Sequence, residues 1–143
     1  CTTWWETNTM TAINTTQKGL LSVPVTGTTA ATGGAMCSVA NPEGQTVYIL
    51  RSYLVVTTPS TGAANITVGV GATATTDAND MINALAINGA ITGKIYNGNT
   101  IQATTKTEVT APAAWTSDKY VTCTGSADSS GFAGTLYIEY IRA

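Results

Sequence analysis

From Asn41 onward, apolar and polar residues follow the two-residue spacing of strands, and turn residues break the runs at short intervals. The longest run covers residues 46–58. Val47, Ile49, Tyr53 and Val55 fall on one of its faces, and Tyr48, Leu50, Leu54 and Val56 on the other. That pattern predicts a central strand covered on both sides by another sheet or a subunit. A turn at 59–64 leads into 65–71, where Ile66, Val68 and Val70 share a face, and the two segments together predict a hairpin. Further strands are expected at 93–96, 100–109, 119–124 and 134–141, divided by Asn97-Gly98-Asn99, by Ala111-Pro112 and by 125–131. One helical segment is expected, a turn or two over 77–85, capped by Asp77 or Asn79 ahead of Met81, Ile82 and Leu85. About seven or eight short strands with Gly, Asn and Pro turns predict an all-β, jelly-roll-like antiparallel β-sandwich.

The first part of the chain differs. Residues 1–18 mix Thr and Asn with isolated apolar residues and show neither period. Residues 20–25 form a short apolar run interrupted by Pro24, which suits an edge or a strand end, and 26–35 reads as a Gly-containing connection. The chain therefore divides into an extended N-terminal arm, 1–22, and a single sandwich domain, 23–143. Trp4, Trp5 and Ile13 stand in the arm with little local core to bury them. Either they pack back on their own domain or they anchor to a partner surface, and they are the candidate partner-binding residues.

Composition narrows the chemistry. Charged residues make up 10% of the chain, six Lys+Arg stand against eight Asp+Glu, and Thr supplies much of the polar surface. With no basic field, a nucleic-acid partner is not expected. The absence of histidine removes the usual general base, the Ser-His and Cys-His pairs and the commonest zinc ligand. The chain is read as non-enzymatic and without a cofactor or a metal site. No apolar run approaches the roughly 20 residues of a spanning helix, so no membrane partner is expected. Cys1 fits removal of an initiator Met, the preferred reading, or a lipid-bearing cysteine exposed by signal cleavage. Cys37 and Cys123 could form a disulfide, but three cysteines make no disulfide framework, and buried free thiols are the preferred reading.

Three features invite chemistry. Asp77, Asn79 and Asp80 share a loop and could offer oxygens to calcium, but no bidentate Glu follows at the right distance, which favours a cap or Asx-turn. Asn14-Thr15-Thr16 and Asn65-Ile66-Thr67 match the glycosylation pattern, as chance allows in so Thr-rich a chain. Arg51 interrupts an apolar run, where an unpaired buried charge would cost several kcal/mol. It therefore needs an anion: Glu139, Glu108 or a carboxylate on a neighbouring subunit. Arg51 and Glu139 are the candidates for a buried ion pair or subunit contact.

From Gly44 on, the layout TVYILRSYLVVTT, NITVGVGATATT, DANDMINAL and WTSDKYVTCTGSADSSGFAGTLYIEYI resembles small jelly-roll decoration or head-fibre proteins of tailed bacteriophage capsids. The ending carries most of this resemblance: Trp115 and Tyr120 to Cys123, then a Ser/Gly/Asp loop, then the terminal Tyr-Ile-x-Tyr strand. The resemblance implies a non-catalytic virion protein, a homotrimer on the outer capsid surface that clamps neighbouring major capsid protein subunits. Two other readings use the same fold: a tail-fibre or spike receptor-binding module, and a strand-donating extracellular filament subunit or lipoprotein.

Overall fold

The computed structural model describes residues 17–89, 92–93, 95–97 and 113–142. Among them the chain forms nine strands: β1 (Lys18–Thr26), β2 (Gly34–Ala40), β3 (Val47–Thr58), β4 (Asn65–Gly71), β5 (Ile82–Ala86), β6 (Ile95–Asn97), β7 (Ala113–Trp115), β8 (Tyr120–Gly125) and β9 (Ala133–Arg142). They build two antiparallel sheets. The first has the order β1-β9-β3-β6, with β7 also on β3, and the second has the order β2-β8-β4-β5. β6 and β7 share one edge of β3, against Tyr53–Val55 and Val47–Ile49 respectively. The pairing is nested: β1 with β9, β2 with β8, β3 with β6 and β7, and β4 with β5. A long hairpin rolled up so that successive rungs alternate between two sheets gives this order, which is that of a jelly roll. The predicted β-sandwich is the observed fold.

The core lies between the sheets. Leu54, Val56, Leu136 and Ile138 of the first sheet meet Ile66, Val68, Val121 and Cys123 of the second, all fully buried. Each such side chain contributes about 1.5–3 kcal/mol by leaving water. Trp115 closes one end: its indole N–H donates to the Lys119 carbonyl at 2.9 Å, and its ring meets Tyr140 edge-on at 6.2 Å between centroids. Beside it, the Tyr140 hydroxyl donates to Glu43 Oε1 at 2.6 Å. Arg142 grips the same carboxylate through Nε at 2.9 Å and Nη2 at 2.7 Å, which pins the 41–45 turn to β9.

Several expectations change. The segment 77–85 is not helical: β5 occupies Ile82–Ala86, and the loop before it is held by side-chain bonds to β4. β3 and β4 do not form a hairpin, because the 59–64 turn carries the chain across to the other sheet. β2 starts at Gly34, inside the stretch read as a connection and beyond it, where small residues gave little apolar signal. β1 starts at Lys18, so residues 18–22, assigned to the arm, belong to the sheet and pair with β9. Cys37 and Cys123 are not free thiols. They stand opposite each other in the β2–β8 register with Cα atoms 4.9 Å apart, and they form a disulfide. The predicted strand at 100–109 lies outside the described residues.

The two-sided apolar run of β3 has a specific cause. A bulge between Ile49 and Arg51 shifts the register against β9 and inverts the facing of the residues after it as far as Val56, where a second irregularity follows. Val47 and Ile49 point inward before the bulge; Ser52, Leu54 and Val56 point inward after it. Tyr53 and Val55, predicted to share a face with Val47 and Ile49, instead lie on the outer face. β3 has one buried face and one outer face, and the outer one still carries Tyr48, Tyr53 and Val55 beside Arg51.

Candidate functional site

The outer faces of the two sheets differ in how they are finished. On the four-stranded sheet the 72–80 loop folds down over β4 and β8. Thr122 Oγ1 donates to the Thr76 carbonyl at 2.8 Å, Thr67 Oγ1 donates to Asp77 Oδ1 at 2.5 Å, and the Val70 N–H donates to Asp80 Oδ2 at 3.1 Å. The Gly alternation of β4 makes room for this. A Cβ on Gly69 would lie 2.6 Å from the Ala78 carbonyl carbon, and one on Gly71 would lie 2.6 Å from Thr76 Cβ. Asp77 and Asp80 are therefore spent as tethers, and among the described residues no cluster of three metal-ligating side chains occurs.

On the five-stranded sheet the outward residues of β1, β9 and β3 line up in register. Lys18, Ile141 and Tyr48 form one row, Leu20, Glu139 and Arg51 the next, and Ser22, Tyr137 and Tyr53 the third. Leu20 is 68% exposed and Tyr48 40%. The flanking aromatic and aliphatic groups surround a charged centre: Glu139 accepts from Lys18 Nζ at 2.5 Å through Oε1 and from Arg51 Nε at 2.7 Å through Oε2. The Arg51 guanidinium also lies over the Tyr53 ring, 5.9 Å from its centroid. The Lys18 hydrogen bond, followed by the Arg51 hydrogen bond and charge, holds the Glu139 carboxyl below the usual carboxylate range against the opposing effect of partial burial. The Glu139 bond in turn holds the Arg51 guanidinium more firmly protonated.

The expected Arg51–Glu139 pair is thus formed, but on an outer face and half-exposed rather than in the core. Lys18, the third member, went unread because its place opposite β9 follows from register and not from local pattern. Trp4, Trp5, Ile13 and Glu108 lie outside the described residues. The described residues contain no helix long and apolar enough to cross a membrane. No protein-family model, curated protein or solved structure matches the chain.

Proposed function

We propose that this chain is a non-enzymatic virion structural protein, a decoration protein that assembles as a homotrimer on the outer surface of a tailed-phage capsid and stabilises the major capsid protein lattice. The observation that carries this reading is the contrast between the sheets. One outer face is closed by the chain's own loop, and the other presents apolar and aromatic rows around ion-paired charges, as a surface that meets another protein does. The resemblance of residues from Gly44 onward to decoration proteins supplies the kind of partner. The residues before β1, among them Trp4, Trp5 and Ile13, add a further contact element in this reading. Stabilisation follows by mass action, since a protein that binds only the assembled lattice raises the free energy needed to dismantle it.

The test is co-sedimentation of the purified chain with undecorated capsids of its virus, together with the mass of the free protein by light scattering. The expected result is saturable binding at a fixed ratio to capsid subunits, a raised capsid melting temperature and a trimer mass. Binding to intact host cells instead of capsids would move the chain to the receptor-binding class. A polymer in solution would move it to the filament class.

A further inference from the structure

We propose that β1 is a docking edge for a second copy of this chain: two β1 strands pair antiparallel across a two-fold axis and join their five-stranded sheets into one. The inference does not rest on the capsid reading, and a two-fold contact at this edge is compatible with a three-fold contact elsewhere.

Hydrogen-bond parity identifies the free groups. The β1–β9 register continues past both ends of β1: the Arg142 N–H donates to the Gln17 carbonyl at 2.7 Å, and the Gly27 N–H donates to the Phe132 carbonyl at 2.9 Å. Along an antiparallel pair, residues bonded to the neighbour alternate with residues that are not. Residues 17 and 27 are bonded across to β9, so 19, 21, 23 and 25 are as well. The N–H and C=O groups of 18, 20, 22, 24 and 26 therefore point away from β9. Pro24 falls in that outward set, where its missing N–H costs the ladder nothing. Among the described residues no strand lies on that side of β1.

Self-complementarity selects a second copy. With Leu20 opposite Ser22 of the copy, Ser22 lies opposite Leu20 of the copy, and each pair exchanges both its N–H···O=C bonds. Lys18 then meets Pro24 of the copy: the Lys18 N–H donates to the Pro24 carbonyl, and the proline has no donor to return. The acceptor left over, the Lys18 carbonyl, already accepts from Arg142 Nη1 at 3.0 Å. Sliding the strands until Leu20 faced Pro24 would leave the Leu20 carbonyl without a donor. The side chains agree with this register. Leu20, 68% exposed, gains Pro24 and Leu20 of the copy as diagonal neighbours. On the inner face Leu21 meets its counterpart on the axis, which covers Leu21 and Val23, both only partly buried against the core. The two Lys18 side chains stand about 20 Å apart, so like charges do not oppose the pairing.

The test is amide exchange by NMR on the full chain over a range of concentrations, with the mass followed by light scattering. At low concentration the Leu20 and Ser22 amides are expected to exchange fast while those of Leu21 and Val23, bonded to β9, exchange slowly. As concentration rises the mass is expected to double, from chain to dimer or from trimer to hexamer, and protection of Leu20 and Ser22 to rise about tenfold with it. Ser22→Pro deletes an outward N–H without touching the β9 ladder, and Leu20→Lys sets cations on the diagonal. Each is expected to raise the concentration needed for doubling about tenfold, with Leu21 and Val23 still slow. A mass that stays constant up to millimolar concentration would overturn the proposal, as would a doubling that neither variant weakens. Slow exchange of Leu20 and Ser22 at every concentration, with no change of mass, would show the edge covered within one chain and overturn it equally. Capsid co-sedimentation is read separately: a chain that doubles but ignores capsids refutes only the proposed function, and one that binds capsids without ever doubling refutes only the edge pairing.

Discussion

Ser52 is fully buried on the inner face of β3, and its hydroxyl has no hydrogen-bond partner among the described residues. A buried hydroxyl without a partner keeps its desolvation cost and gains nothing in return. Ser52→Ala should therefore raise stability by about 1 kcal/mol in urea unfolding, and a loss of that size instead would show that the hydroxyl has a partner. Glu43 makes the opposite case. Its hydrogen bonds from Arg142 and then Tyr140, with Arg142's charge in support, hold its carboxyl at about 2 instead of 4.5. A lowered carboxylate pKa stabilises the fold above the unfolded value and loses that contribution as pH falls through the folded one. Thermal stability should therefore fall between about pH 4.5 and 2, and Glu43→Gln should flatten that fall while lowering stability at neutral pH. An unchanged acid profile in the variant would assign the acid response to other carboxylates. Arg51, whose burial would have demanded a strong partner, lies half-exposed, where solvent screens an ion pair and leaves it little weight in stability.

At the scale of elements, the β3 bulge and the loop over β4 show where local pattern informs and where it stops. The strands at 47–58, 65–71, 120–125 and 133–142 were legible because β-branched and aromatic residues recur between clear turns. The facing of β3 was not legible, because one inserted residue inverts a period-two pattern and leaves no mark in composition. The partner of β4 was hidden for a related reason: a turn sequence says that the chain reverses, not whether it stays in the same sheet. The apolar Met81, Ile82 and Leu85 read as a helical stripe, yet they line β5 and the residue before it, where tertiary pairing outweighs a short propensity signal. The glycines of β4 could be counted but not interpreted until the 72–80 loop was seen lying on them. Gly69→Val should destabilise the fold by about 1–3 kcal/mol through the clash with 78–80, and amide exchange should rise first in that loop. Equal protection of the loop in variant and parent would mean that it does not depend on this close approach. The disulfide belongs to the same scale: it ties edge strand β2 to β8 across 86 residues of sequence. The site was legible only in part, since Arg51 and Glu139 announced a pair, whereas Lys18 and the aromatic rows exist only through the β1–β9–β3 register.

As a whole, the molecule is an asymmetric sandwich, with one sheet sealed by its own loop and the other carrying organised apolar rows. That asymmetry gives the domain two unlike outer faces: one closed by the Thr-containing 72–80 loop, the other carrying the exposed Leu20 and Tyr48 around the Lys18–Glu139–Arg51 charges. Nested pairing also governs how the chain reaches this state. β9 lies between β1 and β3, so among the described residues β1 has no partner strand in its sheet until residues 133–142 have been synthesised. During translation β1 and β3 are consequently bare strand edges, held apart by a gap that only the end of the described chain can fill. Folding must then close a loop of more than a hundred residues between β1 and β9, a contact order that belongs to slow folders on the millisecond-to-second scale.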